Sequence, residues 1–84
     1  MFTPVIELSG RTVLISGASS GIGAATAIAC ASKGMRVGLM ARRAQKLEAL
    51  ASRIGHDRSC VIVGSVDSDD DCERAIAECE SKFG

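Results

Sequence analysis

The sequence predicts an α/β fold: a β-α-β-α-β-α chain whose strands lie parallel in the order 3-2-1, half of a doubly wound domain. Three observations carry this expectation. Short apolar runs without polar alternation occur at Thr12–Ser16, Arg36–Met40 and Ser59–Val63, as expected of strands covered on both faces. A longer segment of helical character follows each run. The loops between them are short, and one strand per helix with short loops implies parallel pairing through right-handed crossovers. With 84 residues there is room for one domain. A further strand is expected after the last helix, so residues 1–84 read as a single, partial domain.

The elements follow in order. Thr12-Val13-Leu14-Ile15-Ser16 is β-branched and aliphatic, bounded by Gly10 and Gly17. Ile22 to Lys33 is rich in small residues and reads as a helix ended by Gly34, with Lys33 suiting the negative end of the dipole. Arg36 to Met40 is the second strand. From Ala44 to Ile54, Leu47, Leu50, Ala51 and Ile54 share one helical face, and Gly55 closes the segment. After the third strand, centred on Cys60-Val61-Ile62-Val63, Ser68 is placed as the N-cap of the last helix. Asp69, Asp70 and Asp71 fall in its first turn, where negative charge is favoured. Cys72, Ala75, Ile76, Cys79 and Phe83 mark its buried face.

Composition removes several mechanisms. The chain holds two Phe, no Trp, no Tyr and a single histidine, His56, and no asparagine occurs along it. A tyrosine acid, an asparagine-built oxyanion hole and a multi-histidine metal site are thus excluded within these residues. His56 reads as a surface residue, and the Asp67–Asp71 run as a helix cap and solvated face rather than a metal site.

The cysteines, Cys30, Cys60, Cys72 and Cys79, are expected to be buried free thiols in a reducing, cytoplasmic compartment. Cys72 and Cys79 on one helix would lie about 10.5 Å apart by helical rise, beyond the ~7 Å reach of a disulfide. No secretory signal is seen in the first ten residues, and no apolar run approaches the ~18 residues of a membrane span.

Charge is segregated although its sum is zero. Up to Leu47 there are six Lys or Arg against one acid, Glu7, while from Glu48 onward nine acids meet four bases. A local positive field suits an anionic small ligand, and overall neutrality argues against a nucleic-acid binder.

The informative segment is Ser16-Gly17-Ala18-Ser19-Ser20-Gly21-Ile22-Gly23, three glycines spaced G-x-x-x-G-x-G between a strand and a helix. Gly17 permits the sharp turn, Gly21 lets a pyrophosphate approach the backbone, and Gly23 lets the helix pack close to the first strand. The helix N-terminus offers free N–H groups to phosphate oxygens, and Ser19 and Ser20 add hydroxyls. This is the Rossmann-type arrangement for a dinucleotide. It lacks the G-x-x-x-x-G-K-[ST] spacing of nucleoside triphosphatases.

At the end of the second strand, an NAD site needs a carboxylate for the ribose 2′-hydroxyl. Ala41, Arg42 and Arg43 stand there instead, and a guanidinium binds a 2′-phosphate bidentately. Cations at a helix N-terminus also oppose the dipole, a local cost that an anionic partner offsets. NADP(H) is therefore expected over NAD(H).

With these residues in place, the chain resembles the N-terminal, cofactor-binding portion of a short-chain dehydrogenase/reductase. Leu8-Ser9-Gly10-Arg11-Thr12-Val13-Leu14-Ile15 leading into the glycine turn carries the resemblance, and Ala41-Arg42-Arg43 with Lys46-Leu47 is similar to its NADP-preferring members. The resemblance implies that Gly17, Gly21, Ile22 and Gly23 line the pyrophosphate. It implies that Ser19 or Ser20, with Arg42, holds the 2′-phosphate, and that Arg43 flanks the adenine.

Two local departures stand out. Ser16 replaces a threonine while keeping the hydroxyl. Ser65-Val66 replaces the Asp-Val whose acid holds the adenine amino group; Val66 is retained, and Asp67 lies two residues on. The family's Asn-Asn-Ala-Gly, catalytic Ser and Tyr-x-x-x-Lys have no counterpart in these residues.

No residue here is assigned a catalytic or metal-binding role, and the chain alone is expected to be inactive. The implied function is NADP(H) binding for an oxidoreductase acting on alcohol or carbonyl groups. The alternatives are a non-catalytic truncated nucleotide-binding or subunit-pairing module, and a methyltransferase-like half that the arginine pair disfavours. In the order 3-2-1 the Thr12–Ser16 strand is an unpaired edge, through which self-association is expected.

Overall fold

The computed structural model describes residues 5–9 and 11–84. Its elements are β1 (Val5–Ser9), β2 (Thr12–Ser16), α1 (Gly21–Ser32), β3 (Arg36–Ala41), α2 (Ala44–Ile54), β4 (Ser59–Val63) and α3 (Asp69–Phe83). The helices and the three parallel strands fall where the apolar runs and caps place them. The boundaries move by one residue at both ends of α1, and β3 gains Ala41. Lys33 is accordingly the C-cap of α1 rather than part of its last turn.

β2, β3 and β4 pair in parallel, with Ile15 opposite Leu39 and Leu39 opposite Val61. Counted along the chain, the sheet runs β1-β2-β3-β4 rather than in the expected order 3-2-1. The neighbours among the three parallel strands are the expected ones; the new element is β1. It pairs antiparallel with β2, Val5 opposite Ile15 and Glu7 opposite Val13, with a register shift between Glu7 and Ser9. The edge of β2 through which self-association was expected is therefore occupied. The physical reason is local: an unpaired row of N–H and C=O groups takes the nearest strand available, and only Gly10 and Arg11 separate the two in sequence.

Because successive side chains alternate across a strand, each strand feeds two cores. Val13, Ile15, Val37, Leu39 and Ala41 pack with Ala27 of α1 and Leu47, Leu50 and Ala51 of α2. Leu14, Met40, Cys60 and Ile62 face the other way and meet Ala75 and Cys79 of α3, with Cys72, Ile76 and Phe83 packed around them. Two helices thus cover one face and one covers the other, the three-layer arrangement of a doubly wound sheet. Nearly all the large core side chains are aliphatic, each contributing about 1.5–3 kcal/mol by leaving water.

α3 closes its face tightly. Cys79 is fully buried, and its Sγ sits where a side chain on Gly38 would otherwise be. At the far end, Lys82 Nζ donates to the carbonyls of His56 and Ser59, and Arg36 Nη1 donates to the Phe83 carbonyl at 3.0 Å.

Burial pushes the Cys79 thiol up to about 12, with the neighbouring Cys60 and the acids Glu78 and Glu80 adding to the effect. Burial raises Cys60 as well. In the unfolded chain both thiols lose their protons near the ordinary value of about 8.5. The unfolded state is therefore the one that releases protons first as the pH rises. This stabilisation is complete below about pH 8 and is lost progressively between roughly pH 9 and 12. Denaturant melts at pH 7.5 and pH 10 should show it. Cys79→Ala should be less stable than the parent at pH 7.5 and lose less on going to pH 10. An equal loss in both chains would contradict the assignment.

Candidate functional site

The carboxyl ends of the parallel strands bring together three loops: Gly17–Ser20 after β2, Arg42–Arg43 after β3 and Gly64–Ser68 after β4. In open α/β sheets this is the end where ligands bind.

The first loop turns sharply at Gly17, whose φ of 67° lies in the left-handed region. Ala18 is fully buried, and its N–H donates to the Met40 carbonyl at 3.1 Å, tying the turn to β3. Ser20 is the N-cap of α1. Its hydroxyl donates to the Gly17 carbonyl at 2.8 Å and accepts from the Gly23 N–H at 3.2 Å. In the sequence pattern the Ser20 hydroxyl is offered to phosphate; in this structure it bonds within the turn, and Ser19 is half-buried beside it. Among the described residues, the backbone N–H groups of Ser19, Gly21 and Ile22 have no hydrogen-bond partner. They stand at the positive end of a 12-residue helix, with no acid in its first turn to compete for them.

The glycines divide the work. A side chain on Gly21 would meet nothing within 4 Å, so no packing among the described residues requires a glycine there. A side chain on Gly23 would run into the Gly17 carbonyl and approach Ala18 Cα to 3.0 Å. The close approach is thus to the turn itself rather than to the strand before it.

On the second loop, Arg43 occupies the N-cap position of α2 and makes no capping bond. Arg42 and Arg43 are both exposed. Arg42 Nη2 donates to Ser65 Oγ at 3.2 Å and pairs with Asp67 Oδ2 at 3.5 Å. The adjacent ends of β3 and β4 bring these residues together from 23 and 25 positions apart.

The third loop is held from below by a residue that was read only as a helix-cap acid. Asp71 Oδ2 accepts from the Ser65 N–H at 2.9 Å, and Asp71 Oδ1 pairs with Arg74 at 3.3 Å. The Ser65 N–H, and after it the Arg74 guanidinium, hold the Asp71 carboxyl below its ordinary value. Arg74 also donates to the Val63 carbonyl at 2.8 Å, fastening the helix start to the strand end. The Ser68-x-x-Asp71 spacing signals only the cap, in which Ser68 Oγ accepts from the Asp71 N–H at 3.2 Å; nothing local in sequence signals the reach of Asp71 to Ser65. Ile22 and Val66, both about half exposed, give the rim of the site an apolar surface. No helix among the described residues is long and apolar enough to cross a membrane.

Three parallel strands with a glycine turn entering a helix at their carboxyl edge define a nucleotide-binding Rossmann-type unit. Residues 11–84 match the family model for the short chain dehydrogenase, and the chain belongs to that family. The 11-beta-hydroxysteroid dehydrogenase-like 2 of Arabidopsis thaliana is 40% identical over 81 residues, covering 93% of this chain and 26% of that protein. D-threitol dehydrogenase of Mycolicibacterium smegmatis is 49% identical over 52 residues, 62% of this chain and 20% of that protein.

Among solved structures, the 3-ketoacyl-(acyl-carrier-protein) reductase from Brucella melitensis, complexed with NADH, superposes with a TM-score of 0.82. Its identity is 32%, over 93% of this chain and 32% of that one. The apo glucose dehydrogenase of Caenorhabditis elegans gives a TM-score of 0.82 at 28% identity, over 93% and 35% of the two chains. The chain thus spans 20–35% of the length of these relatives.

Proposed function

We propose that this chain is the NADP(H)-binding part of a short-chain dehydrogenase/reductase that acts on alcohol or carbonyl groups. The observation that carries the cofactor preference is Arg42, exposed at the end of β3 where a site for the unphosphorylated dinucleotide needs a carboxylate. The open space over Gly21 and the unpartnered N–H groups of Ser19, Gly21 and Ile22 fit a pyrophosphate. Gly17 and Gly23 shape that cradle, and Arg43 and Val66 flank the adenine side together with Ser65.

When bound, the nicotinamide supplies or accepts a hydride. The work of this chain is to hold and orient the adenosine-phosphate end. No tyrosine occurs among its residues, and we assign the proton-transfer chemistry to residues outside these 84.

Titration with NADPH and NADH tests the preference. The parent should favour NADPH, and Arg42→Gln should weaken NADPH binding about tenfold or more, as expected for lost charge-assisted hydrogen bonds, with little change for NADH. Equal affinity for both cofactors in the parent, or a preference unmoved by Arg42→Gln, would refute the assignment.

A further inference from the structure

Asp67 stands two positions after the site where the family's adenine-binding acid would be, and it does something else. Its Oδ2 lies 3.5 Å from Arg42 Nη2, the guanidinium read above as the 2′-phosphate ligand. Resting on that reading, we propose that Asp67 is a specificity-determining residue of the same site. Its carboxylate competes with a 2′-phosphate for Arg42 and lowers this chain's discrimination in favour of the phosphorylated cofactor.

The loop delivers that carboxylate. The Asp67 N–H donates to Ser65 Oγ at 3.2 Å, and the Ser68 N–H donates to the Ser65 carbonyl at 3.1 Å. Ser65 is itself pinned by Asp71, which Arg74 secures to the end of β4. Cys72 Sγ reaches the Val66 carbonyl at 3.5 Å from the helix below. The segment from Ser65 to Ser68 is thus tied to its neighbours at several points, and the Asp67 side chain projects from it toward Arg42.

The chemistry of the competition is direct. Carboxylate and phosphate oxygens accept from the same guanidinium N–H groups, and a phosphate placed on Arg42 would have a carboxylate beside it. Ser65 differs: it is neutral, and its hydroxyl can stay in place beside either anion. The pair is well exposed, at 76% for Arg42 and 83% for Asp67, so its strength is that of a surface ion pair. Removing the negative charge should therefore tighten phosphate binding by about two- to fivefold rather than by orders of magnitude. The gain should shrink as salt rises, because exposed charges are screened over roughly 10 Å at 0.1 M and 3 Å at 1 M.

The test uses the 84-residue chain with two probes that differ only in the 2′-phosphate, adenosine 2′,5′-bisphosphate and adenosine 5′-monophosphate. Binding is measured calorimetrically at low salt for the parent, Asp67→Asn, Arg42→Gln and the double variant, with thermal melts to show that each is folded. The expected result is an Asp67→Asn chain that binds the bisphosphate about two- to fivefold more tightly, with the monophosphate unchanged. The gain should be reduced in the Arg42→Gln background and at 1 M salt.

An unchanged or weaker bisphosphate affinity in Asp67→Asn would overturn the proposal. So would an equal gain for both probes, or a gain undiminished without Arg42. If Arg42→Gln lowers bisphosphate binding while Asp67→Asn has no effect, the competition fails and the cofactor reading stands. If Arg42→Gln leaves the bisphosphate affinity intact, or the parent shows no saturable binding of it, both fall.

Discussion

Gly23→Ala is expected to lower the melting temperature by about 10 °C, a net loss near 2 kcal/mol for a domain of this size. Two effects oppose each other. Alanine is the better helix former by about 1 kcal/mol, and position 23 lies in the first turn of α1. Against this, the new Cβ would fall on the Gly17 carbonyl oxygen, within 2.8 Å of the Gly17 carbonyl carbon and 3.0 Å of Ala18 Cα. All three are backbone atoms, and Ala18 is fully buried with its N–H committed to Met40. No side chain can swing aside, so either α1 lifts from the turn or the turn leaves β3.

Gly21→Ala is the matched comparison. Nothing lies within 4 Å of its Cβ position, so that variant should melt at or above the parent temperature while losing nucleotide affinity. Calorimetry and nucleotide titration on both variants separate the glycine that packs from the glycine that makes room. A Gly23→Ala chain as stable as the parent would refute the packing argument.

Leu39→Ala is expected to cost about 2–5 kcal/mol, most or all of the roughly 3–5 kcal/mol that a core of this size supplies. Leu39 is completely buried in the third strand of four, opposite Ile15 on β2 and Val61 on β4. Its side chain belongs to the core that α1 and α2 cover. A cavity there loosens contacts on both neighbouring strands and both helices, which leaves little scope for collapse. Ile22→Ala, at a residue 51% exposed, should change stability by no more than about 0.5 kcal/mol. Urea melts of the two variants would show whether burial decides the outcome, and a Leu39→Ala chain with an unchanged midpoint would contradict it.

Local patterns carried much of the fold. Thr12–Ser16 and Ser59–Val63 are apolar on both faces because helices cover both sides of them, and that signal lies within five residues. The caps were equally legible: Ser68 holds the Asp71 N–H as its position before the acidic turn implies. Ser20 shows the limit of such reading. Its hydroxyl was legible as a donor, but whether it served a ligand or the turn depended on the Gly17 carbonyl three residues back, which only the bent backbone brings within 2.8 Å.

The link from Arg42 to Ser65 and Asp67 was not legible at all. It exists because β3 and β4 are hydrogen-bonded neighbours in register, Ala41 opposite Val63, which sets the two following loops side by side. β1 was missed for a related reason. The Val5–Ser9 run is as long as β2 and β4 but carries Glu7 in its middle, which breaks the continuous apolar signal, and what makes it a strand is the open edge of β2.

That antiparallel strand has a consequence for the order of events as the chain folds. β1 and β2 are separated by two residues in sequence, so their pairing closes a very small loop and proceeds on the hairpin timescale of about 1–10 μs. The parallel pairings of β2 with β3 and of β3 with β4 each wait for an intervening helix to form and dock, a longer closure that slows folding. During that interval one side of β2 is already engaged. A nascent chain with an apolar strand exposed on both sides can template on another molecule; here the early hairpin halves the exposure while the crossovers assemble. In the native sheet Val5–Ser9 covers the edge of β2, and a hairpin formed on that timescale would cover it before the crossovers are complete.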